Sequence, residues 1–280
     1  MKKGINIWSF PNDMDLSSCM QLAKTAGFDG IEPALAESGP LSLESKKEEI
    51  LAIRQEASDL GLEITSLASG LGWTNGLTSS SRTVREKASD IVKRQLETAA
   101  LLGADTILVV PGAVGVDFME GIEVTEYEEA YENAVNELRE LAKSAEAHQV
   151  SIGVENVWNK FLLSPLEMKR FIDEVGSTYV GAYLDVGNTV LNGYPEHWVR
   201  TLGSRIKKVH FKDFRRQAAG LSGFVDLLAG DVDYPAVMEA LRNIGYEGYA
   251  IAEMIPPYRH HSQQIIYNTS ASMDAILGRR

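Results

Sequence analysis

The 280 residues predict a (β/α)8 barrel, an α/β fold, and three observations carry that reading. One unit recurs along the chain: a helical stretch, a glycine or turn, then a short apolar run that stops at a polar residue. Such units number eight. No GxGxxG or Walker pattern follows any of the runs, which turns the reading away from an open nucleotide-binding sheet.

Each run reads as a strand. Gly4–Trp8 opens the chain, followed by AGFDGIE at 26–32, LGLEITS at 60–66, LGADTILVV at 102–110 and HQVSIGVE at 148–155. Val180–Leu184 and Arg205–Val209 come next, and IGYEGYAIAE at 244–253 supplies the eighth. The intervening helices are predicted near 13–26, 43–60, 84–102, 125–148, 165–175, 195–203, 234–243 and 263–278. Gly27, Gly61, Gly103 and Gly245 fall just past helix ends, where a positive φ suits glycine. In 84–102, Val84, Ala88, Ile91, Leu96, Ala99 and Leu102 share one face with charges opposite, as in a helix lying on a sheet. Pro195 fits a first helical position. Two stretches after strands, Ser69–Thr83 and Pro111–Val124, are longer than a barrel needs and read as lid candidates at the catalytic end. No Pro/Ser-rich linker interrupts the pattern, so a single domain spanning 1–280 is expected.

A formal net charge of −12 argues against nucleic acid and anionic membrane as partners, because both are held by clustered Lys and Arg. The lone Cys19 lies in an apolar-periodic segment and reads as a buried helix residue. No run approaches the roughly 18 apolar residues of a membrane span, and the first residues lack the apolar region of a signal peptide. A cytoplasmic protein acting on a small molecule is expected.

Four strand ends present metal-type ligands. Glu155 closes Ile152–Val154, Asp185 closes Val180–Leu184, His210 closes Arg205–Val209 and Glu253 closes Tyr249–Ala252. Parallel barrel strands direct their carboxyl ends to one mouth, so these side chains converge although they are distant in sequence. Three carboxylates and an imidazole suit one divalent ion, Mn²⁺ first, with Co²⁺, Mg²⁺ or Zn²⁺ as alternatives. Alone, Glu155 or Glu253 reads equally as an acid bonded to a loop, and His210 as a satisfied histidine; the joint placement is what points to a metal.

The segments VENVWNKFLLSP, AYLDVGN, KKVHFKD, GDVDY and AIAEM resemble the sugar phosphate isomerase/epimerase family of xylose isomerase-like TIM barrels. The likeness extends from Gly4 onward, nearest to L-ribulose-5-phosphate 3-epimerase and hexulose-6-phosphate isomerase type enzymes. It implies that Glu155, Asp185, His210 and Glu253 hold one divalent ion and that Glu155 and Glu253 also move protons. It matches the family's arginine, six residues after the metal histidine, to Arg216. Many free-sugar epimerases carry a histidine where this chain has Asn188, and phosphosugar branches more often carry Asn. The resemblance therefore implies a ketose or ketose phosphate as substrate and a homodimer as the assembly.

The chemistry agrees. A divalent ion chelating a carbonyl and the adjacent hydroxyl lowers the energy of the enediolate formed on proton abstraction, and carboxylates take and return the proton. Inversion at C3 and aldose–ketose isomerisation both need this equipment; 3-epimerisation of a phosphorylated ketose is the reading taken. Lys212, Arg215 and Arg216, with Lys160, form the basic set for a phosphate. Trp8 and Trp73 offer walls for a sugar face, and Glu32 accepts a substrate hydroxyl or a loop amide. Three other readings compete: a metal-dependent dehydratase of a keto-polyol, a non-catalytic sugar-binding barrel, and an endonuclease. The last needs a histidine-rich three-zinc site, for which five histidines and an acidic chain are poorly suited.

Overall fold

The computed structural model describes residues 1–255 and 257–279. Its strands in chain order are β1 (Lys2–Asn6), β2 (Gly30–Glu32), β3 (Glu63–Ile64), β4 (Thr106–Val109), β5 (Ser151–Glu155), β6 (Val180–Asp185), β7 (Ile206–Phe211), the two-residue β8 (Asp213–Phe214) and β9 (Phe224–Val225), and β10 (Tyr249–Ala252). The helices are α1 (Leu16–Thr25), α2 (Lys47–Asp59), α3 (Arg82–Leu102), α4 (Tyr127–His148), α5 (Pro165–Val175), α6 (Pro195–Leu202), α7 (Tyr234–Asn243) and α8 (Gln264–Leu277).

Eight strands pair in parallel in the order β3-β2-β1-β10-β7-β6-β5-β4. The ring closes beyond the end of β3, where Leu67 bridges to Ile107. There Leu67 N donates to Thr106 O and Leu108 N to Leu67 O, both at 3.0 Å. The buried Gln95 of α3 spans the seam from outside, its amide donating to Leu67 O at 2.8 Å and Leu108 O at 2.9 Å. This is a (β/α)8 barrel of the kind the repeat pattern predicts.

Alternation along each strand divides the core in two. Ile107 and Val109 of β4 join the large apolar layer between strands and helices, whereas Leu108 and Val110 join a smaller interior group with Ala68, Tyr183, Tyr249 and Ile251. Helix starts follow local hydrogen-bond chemistry. Asp15 caps α1 by accepting from Ser18 N at 2.8 Å, so this helix begins after the apolar periodicity does. Ser164 caps α5 ahead of Pro165. Gly27, Gly61, Gly103 and Gly245 all take positive φ, as their places after helices require.

One element has no strong apolar signal in the sequence. After β7 the chain folds into an antiparallel ribbon, β8 against β9. Buried Asp213 organises it, accepting from the backbone N–H of Phe214, Leu228, Gly230 and Val232 at 2.9–3.1 Å. The ribbon matters because it carries Phe224 to the barrel mouth. Among the described residues, no helix is long and apolar enough to cross a membrane. Cys19 is buried in α1, and burial pushes its thiol up to about 12.

Candidate active site

Glu155 and Asp185 end β5 and β6, His210 is the next-to-last residue of β7, and Glu253 follows β10. One potential ligand atom from each lies within 4.8 Å of all the others, and all four residues are buried. His210 Nδ1 stands 3.6 Å from Glu155 Oε1 and 3.9 Å from Glu253 Oε2. These four residues form a group able to hold a metal ion. The donors fit one: His210 Nδ1 is buried with no hydrogen-bond partner, and Asp185 Oδ2 and Glu253 Oε2 are buried with only the Lys212 ammonium beside them. A buried polar atom left without a partner costs about 1–3 kcal/mol, and a cation held between His210 Nδ1 and the neighbouring carboxylates would remove that cost.

The surroundings orient these donors. His210 Nε2 lies 2.7 Å from Glu32 Oε2, which keeps a proton on Nε2, so that the neutral imidazole would present its Nδ1 lone pair to the cluster. Glu32 is wholly buried and also accepts from Asn6 Nδ2 and Ser66 Oγ at 2.5 Å and from the Tyr183 hydroxyl. Asp185 is held as firmly. Its backbone N–H and C=O both bond to the Asn156 amide at 2.9 Å, and its Oδ1 accepts from Asn188 N at 2.8 Å, which leaves Oδ2 on the side of Lys212.

Charge within the cluster is balanced by protons and by Lys212. Burial pushes the Glu155 carboxyl up to about 7, with the Glu253 charge adding to the rise and His210 opposing it. Burial likewise raises Asp185. For His210 burial acts downward, but the carboxylates of Glu32 and Glu253 outweigh it and hold the imidazole well above its ordinary value. The Lys212 ammonium lies 3.4 Å from Asp185 Oδ2 and directly against Glu253 Oε2, and those charges overcome the desolvation that would lower it.

Above the cluster opens a cavity of about 790 Å³. Glu155, Glu253, Lys212 and Asn188 line its floor, and Trp8, Trp73, Phe118, Trp158 and Phe224 its walls. The other residues singled out in the sequence lie elsewhere. Glu32 does not reach the cavity to accept a substrate hydroxyl, because its lone pairs are filled below the floor. Arg216 turns away: its guanidinium donates to Val190 O at 3.0 Å and Gly193 O at 3.2 Å and stacks over Tyr194. Arg215 donates to Ala229 O at 2.9 Å. Lys160 pairs with Asp117 at 2.5 Å in a neighbouring pocket of about 400 Å³. The basic residues are therefore not assembled in one place. Conversely, Asn156, Tyr183, Ser66 and Phe224 belong to the site although the sequence reading passed over them. Only Asn156, adjacent to Glu155, carried a local signal.

A profile of the family described as xylose isomerase-like TIM barrel matches residues 20–273. The chain belongs to the xylose isomerase-like TIM barrel family. Within curated proteins it is 27% identical over 266 residues to the D-psicose 3-epimerase of Enterocloster bolteae, covering 90% of this chain and 82% of that one. It is 25% identical over 248 residues to an L-ribulose-5-phosphate 3-epimerase of Escherichia coli O157:H7, covering 84% and 80%. Among solved structures, an IOLI protein with a binding zinc atom superposes with a TM-score of 0.81 at 18% identity, covering 100% and 99%. That last likeness shows the shared fold.

Proposed function

We propose that this enzyme, a sugar epimerase or isomerase by kinship, is metal-dependent and inverts the carbon next to the ketone of a keto-sugar, C3 in a 2-ketose. The observation that carries this is the placement of two carboxylates, Glu155 and Glu253, on the floor of one cavity beside buried Asp185 and the unpartnered His210 Nδ1. Glu155, Asp185, His210 and Glu253 would hold one divalent ion, Mn²⁺ by preference. Bound there, the ion supplies Lewis-acid stabilisation to a substrate carbonyl and its neighbouring hydroxyl.

The protein's own groups do the proton work. One glutamate takes the proton from the carbon, whose bonding electrons pass into the enediolate, and the other returns a proton to the opposite face. Glu155, raised toward neutrality, is suited to both directions of that exchange. Lys212 offers its ammonium to oxygen atoms at the floor, and the aromatic walls exclude water. The 3-epimerases among the relatives favour epimerisation over carbonyl migration. We further read 1–280 as one barrel domain of the cytoplasm, acting on a small molecule without nucleic acid or membrane. The test is proton NMR in D₂O of Mn²⁺-loaded enzyme with a panel of ketoses and ketose phosphates. Wash-out of the proton beside the ketone, with appearance of the epimer, supports the reading; turnover without exchange at that carbon ends it.

A further inference from the structure

The cavity holds more room, and less positive charge, than a small sugar phosphate calls for. Its volume of about 790 Å³ lies high in the ~300–1,000 Å³ range of ligand pockets. Two aromatic pairs stand on its walls: Trp73 with Phe118, centroids 5.5 Å apart, and Trp158 with Phe224, 5.0 Å apart. Near the opening, Phe118 and Leu221 remain 42% and 49% exposed, an apolar rim that none of the described residues covers. Lys212 is the one cation among the described residues lining this cavity, and its ammonium is tied to Asp185 and Glu253 at the floor. Away from the floor, the charged lining residue is Glu37. A phosphate carried into the outer cavity would lose its hydration to apolar walls and meet a carboxylate, with no cation in return.

We propose that the substrate is an uncharged keto-sugar bearing an aromatic or similarly flat apolar substituent. The carbonyl end meets Glu155 and Glu253, and the substituent lies between the tryptophan walls. This rests on the proton-abstraction reading for the sugar end. The proton beside the ketone passes to one glutamate, its bond electrons form the enediolate, and the second glutamate reprotonates the other face, so no oxidant or co-reactant is needed.

Two measurements test it on the full chain loaded with Mn²⁺. The first is exchange and epimerisation in D₂O with 4-nitrophenyl 3-keto-β-D-glucopyranoside, its methyl counterpart, D-fructose and L-ribulose 5-phosphate, with the Glu155→Gln protein as background. The aryl compound should exceed each of the others in kcat/KM by roughly ten-fold or more, and Trp73→Ala should bring the ratio of aryl to methyl kcat/KM down to within about three-fold of one. Equal rates for aryl and methyl compounds, or faster turnover of the ketose phosphate, overturn the proposal while leaving the proton-abstraction reading intact. The second is calorimetric binding of two unreactive probes, 4-nitrophenyl β-D-glucopyranoside and glucose 6-phosphate. Tighter binding of the aryl glucoside with no exchange on any ketone supports the substrate class and overturns the reaction; tighter binding of the phosphate overturns the substrate class.

Discussion

At the scale of single residues, the site separates groups that act from groups that aim them. Glu155→Gln and Glu253→Gln keep shape and an oxygen donor but remove proton transfer, so each should lower kcat by about 10²–10⁴-fold at measured full metal occupancy. Activity within about three-fold of wild type in both would leave the glutamates as ligands only. Glu32 never meets the substrate cavity, yet it fixes the tautomer of His210. Glu32→Gln should therefore weaken Mn²⁺ binding by about 10–100-fold, read by titration, with no comparable change in the KM of an occupied site. Titration has its own sign. Glu155, held at about 7 instead of its ordinary 4.5, binds a proton more tightly folded than unfolded, and the raised His210 acts in the same direction. The metal-free protein should thus lose stability as pH rises from 4.5 through about 7 as Glu155 ionises, and further above 6.5 as His210 gives up its proton, while Mn²⁺ affinity rises as those protons leave. A higher Tm near pH 8 than near pH 5 without metal would contradict this.

At the scale of elements, strand ends were legible because an apolar run stops visibly at Glu155, Asp185, His210 or Glu253, and helix stretches were legible from their periodicity. The work of Glu32 was not, because its partners Tyr183 and His210 follow it by 151 and 178 residues and only the closed ring brings them together. Arg216 illustrates the opposite failure. Its spacing from His210 is conspicuous, but a short turn at 216–218 aims the guanidinium at the loop carbonyls of Val190 and Gly193. The ribbon of β8 and β9 escaped notice because Asp213, a single polar residue, organises it through backbone bonds. Neighbouring strands also depend on each other's side-chain size. A Cβ on Gly153 of β5 would lie 2.9 Å from Tyr183 Cδ2, so Gly153→Ala should displace the ring that bonds Glu32. We expect a loss of about 1–3 kcal/mol in denaturant unfolding together with weaker metal binding; unchanged metal affinity would show that Tyr183 does not transmit to His210.

At the scale of the whole molecule, the buried carboxylates place part of the barrel's stability in the ion. EDTA should abolish turnover, Mn²⁺ or Co²⁺ should restore it, and metal at about 100 times its Kd should raise stability by about 2.7 kcal/mol. An unchanged Tm across that titration would argue against a shared site. The ring itself is unequal around its circumference. At Leu67, closure depends on a bridge to Ile107 and on one glutamine amide reaching in from α3. Amide protons report such inequality directly. The N–H groups of Leu67 and Leu108 should exchange with deuterium well before those of β6 and β7, by opening of the seam alone. Gln95→Leu should accelerate exchange at these two amides far more than elsewhere, making this junction the latch from which the barrel first comes undone.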